Sequence, residues 1–365
     1  MKMKILLMAD TVPTSVTEPL FAAGDGEKLF GDVLGMAKSA DRVVLNLECA
    51  LTDYDGKIKK FGPNIKATPA AVNGLLALGV TDVALSNNHV FDYGIKGLRD
   101  TMATLEAAGL PYMGVGENDT DSRKPYVIEA EGKKIGFINV CEHEYTYALP
   151  NRVGANPFDP FLTMQDIREL KAQCDFVIVI YHGGKEHCRY PSPRLYNLSH
   201  EMVLCGADVV IAQHSHCIGC YENFNGGHIL YGQGNFNFVY PEYTDKSPGW
   251  YTSLLTELTI TDKVEIKFYP LKQTRTGCDV AKGDEANDIM SAFEERNASL
   301  LDGTWRDGWH AFCVSDGIRE NYVNSVECEF DDDHKRHRFA HYLDCEAHTD
   351  VWRELYPTWN MTNEL

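Results

Sequence analysis

Short apolar runs in this chain repeatedly end on residues able to hold a metal ion, and no other feature narrows the possible folds as much. Val80 to Leu85 runs into Ser86-Asn87-Asn88-His89-Val90-Phe91-Asp92, and a helical pattern follows Gly94. Asp175 to Tyr181 delivers His182-Gly183-Gly184, and Asp208 to Ala212 delivers Gln213-His214-Ser215-His216. Residues 4–9 end at Asp10, and Arg42 to Leu47 ends at Glu48. Runs of this length, alternating with helical periodicity, predict the strands of an α/β sheet. Ligand sites in such sheets form at the carboxyl ends of the strands.

The spacing predicts helices over 27–40, 70–78, 98–108, 163–173 and 193–205, with Thr11 to Gly26 as a loop. Thr68-Pro69 starts the second of these and Gly79 stops it. Two hairpins are expected: one around Glu131-Gly132-Lys133, the other turning at Thr261-Asp262. From about Gly277 the alternation stops, charge rises, and helices are predicted over 285–300, 334–343 and 349–355. The expected organisation is a main domain, residues 1–276, with a C-terminal helical extension, residues 277–365. Trp305, Trp309, Trp352 and Trp359 argue that the extension docks on the domain, because exposed tryptophans at that density are costly. Covering the cleft or forming the face of a homo-oligomer are uses open to it.

Composition excludes some functions. A net charge of −19 argues against nucleic acid or anionic lipid as the main partner. Of 11 cysteines, only Cys217-Ile218-Gly219-Cys220 has C-x-x-C spacing, which points to reduced thiols in a cytoplasmic protein. No run approaches the length of a membrane span, and the apolar part of Met1 to Asp10 is too short for a secretion signal.

Asp10, Glu48, Asn88, His182, His214 and His216 are hard-to-borderline ligands. They suit manganese, zinc or iron better than calcium or magnesium. Glu48 is the candidate to bridge two divalent ions about 4 Å apart. His89 is the best general acid, since imidazole can give up a proton near neutral pH. Asp92 either orients His89 or caps the following helix. Lys60 and Lys66, in a chain short of positive charge, point to an anionic substrate, small molecule or polymer; Lys57 and Lys59 read as solvated. Glu186 and Tyr190 are substrate-contact candidates. His143 reads as a rim residue, Asn235 as a turn residue, and His187-Cys188 as no zinc pair. His334, His337, His341 and His348 lie near Lys335, Arg336 and Arg338 and read as an exposed charged face.

The order of Asp10, Asn46-Leu47-Glu48, Ser86-Asn87-Asn88-His89 with Asp92-Tyr93-Gly94, His182-Gly183-Gly184-Lys185-Glu186, Gly206 to His216 and Gly234-Asn235-Phe236 resembles the bacterial capsule synthesis protein family. This is the CapA or poly-γ-glutamate synthesis type, a variant of the calcineurin-like metallophosphoesterase superfamily. The resemblance covers residues 4–240 and implies a four-layer α/β/β/α sandwich with one or two divalent metal ions at strand ends. It implies that Asp10, Glu48, Asn88, His182, His214 and His216 are the metal ligands and that His89 protonates the leaving group. The superfamily usually has a metal histidine two residues after the first aspartate. Val12 stands there, which weakens the case for ordinary phosphatase activity. The implied activity is hydrolysis of an anionic ester, phosphoester or amide by a metal-activated hydroxide. Two other readings are a weakly or non-catalytic part of capsule polymer assembly and a purely structural protein.

Overall fold

The computed structural model describes residues 2–130, 132–241, 249–326 and 332–357. Its centre is the strand Met3–Thr11, in the middle of an eight-stranded sheet. Arg42–Leu47, Asp82–Ala84 and Tyr112–Met113 add in parallel on one side. Thr252–Ile260, Val264–Gln273 and Cys278–Val280 add antiparallel on the other. Asn235–Asn237 lies parallel to the end of the first strand. A six-stranded sheet is built on the parallel strands Lys133–Cys141, Phe176–His182, Val209–Gln213 and Gly227–Leu230, with Tyr126–Ala130 and Tyr221–Phe224 at its edges.

The two-residue side-chain period of a strand sorts these residues into layers. Ile5, Leu7 and Val44 meet Phe137, Ile178, Ile180 and Ile211 in a core shared by the two sheets. Leu6, Met8, Val43 and Leu45 face the opposite way and pack under Phe21, Leu29, Leu75 and Leu98. Val177, Val179 and Val210 of the second sheet pack under Met164, Ile167, Leu195 and Met202 of the helices Pro160–Lys171 and Pro193–Leu204. Helices therefore cover the outer face of each sheet. This is the α/β/β/α sandwich that the resemblance implies.

Buried amides seam the sheets together at their carboxyl ends. Gln213 Nε2 donates to Met8 O at 3.3 Å and to Gln233 Oε1 at 3.0 Å. Gln233 Nε2 in turn donates to Leu7 O at 2.7 Å. The seam fixes the strand ends of both sheets in one frame.

Some elements differ from expectation. The helix expected over 27–40 is two, Gly26–Phe30 and Val33–Lys38. Gly31 breaks it with φ of +45°, and a Cβ there would stand 2.5 Å from Asp279 Oδ1. Glu18–Ala23 is helical inside the expected loop. Glu131 of the first hairpin turn lies outside the described residues, but the strands on either side pair as expected.

Beyond residue 276 the first sheet gains Cys278–Val280 before the helices Gly283–Asp302, Trp305–Val314, Asp316–Val326, Asp333–Asp344 and Glu346–Leu355 begin. Trp309, Cys313, Tyr322, Tyr342 and Val351 form a separate small core that also takes in Cys188. Trp305 is buried against the helix Pro193–Leu204 and its neighbours, and Trp352 is half-buried; Trp359 lies outside the described residues. No helix among the described residues is long and apolar enough to cross a membrane. The ten described cysteines are all buried and free.

Candidate functional site

Three strands of the first sheet and two of the second deliver side chains to one buried cluster at the seam. Asp10 is the last residue but one of the first strand and is fully buried. Its Oδ1 accepts from Asn46 Nδ2 at 2.8 Å and its Oδ2 from the His214 backbone N–H at 3.0 Å. His216 Nδ1 stands 3.4 Å from the same Oδ2 and 2.8 Å from Asn235 Oδ1. His182 Nε2 lies 2.9 Å from Asn88 Oδ1 and 3.4 Å from Glu48 Oε1.

His214 and His216 reach the cluster because the chain leaves its strand through left-handed backbone. Their φ values are +86° and +54°, a region that non-glycine residues rarely occupy. The left-handed turns aim two histidines, two positions apart, at one point. Backbone strain of this kind gathers at functional sites.

The electrostatics follow from burial. Burial pushes the His214 imidazole well below its ordinary pKa, and His143, His182 and His216 push it further. It is a neutral ring, the form that binds metal. Burial also opposes charge on His216, but Glu48 and Asp10 override it and lift that ring to about 10. Burial alone would raise Asp10, yet the hydrogen bond from His216 and the nearby His182 hold it below the ordinary carboxylate value.

The orphaned atoms decide whether a metal fits. Both oxygens of Glu48 are buried and accept no hydrogen bond, and His214 Nδ1 is likewise buried without a partner. An interior carboxylate without hydrogen bonds is costly; His216 offsets its charge in part, and a bound divalent ion would also occupy its oxygens. Glu48, His214 and His216 each offer one ligand atom within 4.8 Å of the others. The donor set of carboxylate oxygen, amide oxygen and imidazole nitrogen fits a divalent ion.

Beside this cluster lies a cavity of about 270 Å³, lined in part by Asn88, His89, His143, His214, Lys60 and Lys185. His89 Nδ1 pairs with Asp92 Oδ2 at 2.7 Å. Asp92 also accepts from Ile65 N at 2.7 Å and pairs with the Lys60 ammonium. The helix Gly94–Ala107 has Tyr93 at its N-cap, so Asp92 orients His89 and does not cap that helix. Asn87 Oδ1 accepts from the backbone N–H of His89 and Val90, at 3.1 and 2.9 Å, and fixes the turn.

The chain belongs to the bacterial capsule synthesis protein family. The family model described as bacterial capsule synthesis protein PGA_cap matches residues 5–240, which hold every residue of this cluster. The capsule biosynthesis protein CapA of Bacillus anthracis is 30% identical over 219 residues, 58% of this chain and 53% of its own length. The PGA biosynthesis protein CapA of Bacillus subtilis is 29% identical over 218 residues, 58% of this chain and 57% of its own length. The chain thus spans just over half the length of these relatives. Among solved structures, a 5′-nucleotidase precursor from Thermus thermophilus aligns with a TM-score of 0.44 and 15% identity, over 82% of this chain and 60% of that one.

Within this family member, not every candidate residue reaches the site. Glu186 lines the cavity, with Oε1 3.9 Å from His214 Nε2. Lys66 is not in that lining; its ammonium donates to Tyr54 O at 2.9 Å and to Asp55 at 2.7 Å, and sits over the Tyr93 ring. Tyr190 packs instead against the C-terminal helices. His143 is no rim residue: it is buried, and its ring centroid is 4.2 Å from that of His214. His341 and His348 are buried and line the cavity, which corrects the exposed-face reading; His334 remains exposed.

Sequence reasoning missed the supporting shell. Asn46 sits two residues before Glu48, so strand alternation alone would have put both on one face. Asn235 orients His216 as well as following a turn. Glu142 accepts from Gly184 N at 2.6 Å and Arg194 at 2.9 Å, which holds the loop after His182. No spacing rule links Glu142 to Arg194.

Proposed function

We propose that this chain is a metal-dependent hydrolase of the capsule-synthesis type that acts on an anionic ester, phosphoester or amide. The observation that carries the reading is Glu48: an interior carboxylate of the first sheet with no hydrogen bond, facing imidazoles delivered by the second. Asp10, Glu48, Asn88, His182, His214 and His216 would hold one or two divalent ions, with manganese, zinc or iron suited to the donors. A bound ion there supplies Lewis acidity and a water of lowered pKa.

The chain's own residues do the rest. Asp92 fixes the His89 tautomer by accepting from Nδ1, leaving Nε2 to carry the proton for a leaving group. Lys185 and Lys60 line the cavity and favour an anionic substrate. Lys60 is already paired with Asp92, so Lys185 is the stronger contact for a substrate anion. Asn235 and Asn46 hold their ligands in place, the arrangement that metal sites require of their outer groups. The buried free cysteines fit a reducing, cytoplasmic setting.

A second reading is a weakly or non-catalytic part of capsule or poly-γ-glutamate assembly. The names of the Bacillus relatives favour it, as does Val12 at a position where the superfamily usually has a ligand. The test is metal analysis of the purified chain followed by a turnover screen of phosphoesters, carboxylic esters and glutamyl amides. Near two equivalents of a transition metal with turnover supports the hydrolase. Tight metal without turnover on any of them selects the assembly role, and no metal after reconstitution sinks the hydrolase reading.

A further inference from the structure

On the far wall of the cavity from the strand ends, the C-terminal helices bring together a different donor set. His341 closes the last turn of the helix Asp333–Asp344, Cys345 is the junction, and His348 lies in the first turn of Glu346–Leu355. All three are buried, and each offers one ligand atom within 4.8 Å of the others. His341 and His348 line the same cavity as His89 and His214.

The two rings are prepared as ligands. His341 Nδ1 pairs with Glu144 Oε1 at 2.7 Å, and His348 Nδ1 pairs with the Tyr322 hydroxyl. With Nδ1 of each ring engaged, Nε2 is left to bind. A carboxylate behind a metal-binding imidazole is a recurrent device that fixes the tautomer and raises ligand basicity. The second oxygen of Glu144 is buried without a hydrogen bond, so this carboxylate is committed to His341 alone. Tetrahedral ligands at zinc distances lie roughly 3.5 Å apart, so separations of up to 4.8 Å close by side-chain rotation.

We propose that His341, Cys345 and His348 form a second, mononuclear zinc site, with its open coordination position on the cavity. Two imidazoles and a thiolate are borderline-to-soft donors and select zinc over magnesium, calcium or manganese. The Cys345 thiol gives its proton to solvent as the ion binds. The ion joins the two last described helices to each other and, through Glu144, to the turn that follows Lys133–Cys141. This inference does not rest on the hydrolase reading, because its ligands lie outside the strand-end cluster.

Cobalt substitution tests it on the full chain. The metal-stripped protein is reloaded with cobalt and its near-ultraviolet spectrum recorded. The strand-end cluster contains no thiol, so a thiolate-to-cobalt charge-transfer band reports only a cysteine-ligated ion. The band is expected in the wild-type chain and absent in Cys345→Ser, whose bound metal falls by one equivalent while the remainder stays. Glu144→Gln is expected to weaken zinc binding at this site by about 10–100-fold. A cobalt-loaded wild-type chain without the band overturns the proposal with no variant needed, and so does a band that survives in Cys345→Ser. Should Cys345→Ser fail to fold, His348→Gln must lower the metal count by one equivalent; an unchanged count overturns the proposal as well.

Discussion

The two walls of the cavity are built on different plans. The strand-end wall takes its groups from five separate strands; buried hydrogen bonds to backbone or amide partners fix Asp10, Asn87 and His216, while the Glu48 carboxylate and His214 Nδ1 hold none. The helical wall stands on a small core of its own around Trp309 and Tyr322. It meets the rest through apolar contacts of Cys188, Tyr190 and Phe61 and through polar ties, among them Arg194 to Asp350 at 2.9 Å, Ser192 to Asp350 at 2.6 Å, and Glu144 to His341. Groups that must hold a geometry sit on the rigid sheet edge.

That contrast can be broken by experiment. Glu48→Gln is expected to have the largest effect: loss of strand-end metal and of any turnover, with a smaller metal-induced rise in Tm than in the wild type. A metal content in this variant unchanged from wild type would refute the strand-end site. Next, His89→Gln should lower turnover by about 10²–10⁴-fold with metal content unchanged. The loss should shrink on esters whose leaving group needs no protonation, and an equal loss on all esters would remove His89 from the acid role.

Trp309→Ala empties the helical core and should cost about 3–5 kcal/mol of the stability of that region. Hydrogen exchange should report the loss in residues 305–355 while the strand-end metal stays; loss of that metal too would show that the two walls are one unit. Lys185→Met should raise KM for an anionic substrate by about tenfold with little change in kcat. Lys66→Met, whose ammonium is committed to exposed Asp55, should leave both unchanged and shift stability by less than about 0.5 kcal/mol.

The same contrast explains what the sequence reveals. The strand-end wall is legible because period-two alternation and apolar runs mark where a strand ends, and the ligand-type residues sit at those ends. Asp10, Glu48, Asn88, His182, His214 and His216 converge as that pattern requires. The helical wall is legible only in part: the helices expected over 334–343 and 349–355 form, but where their side chains go does not show. The helix Trp305–Val314 carries Gly308 in its interior, which weakens the helical signal. The glycine is there because a Cβ would meet the Tyr190 ring at 2.4 Å, a contact that no local pattern encodes. His341 and His348 are obscured by the charges at residues 335–338, and they meet because the chain turns at Cys345. Lys66 misled because a lysine near a site says nothing about which carboxylate it will find first.

The central position of the first strand has a consequence for how the protein is made. Asp10 pairs in register with Asn235, and the residues from Met3 to Leu7 pair with Thr256 to Ile260. On the ribosome, the first strand and its carboxylate are synthesised long before those partners exist. Non-local pairing of this kind folds slowly and leaves apolar strand edges open meanwhile. Nascent chains are therefore expected to depend on chaperones until Thr252–Ile260 has emerged, so the strand that sets the site's frame is made first but paired on both sides only late.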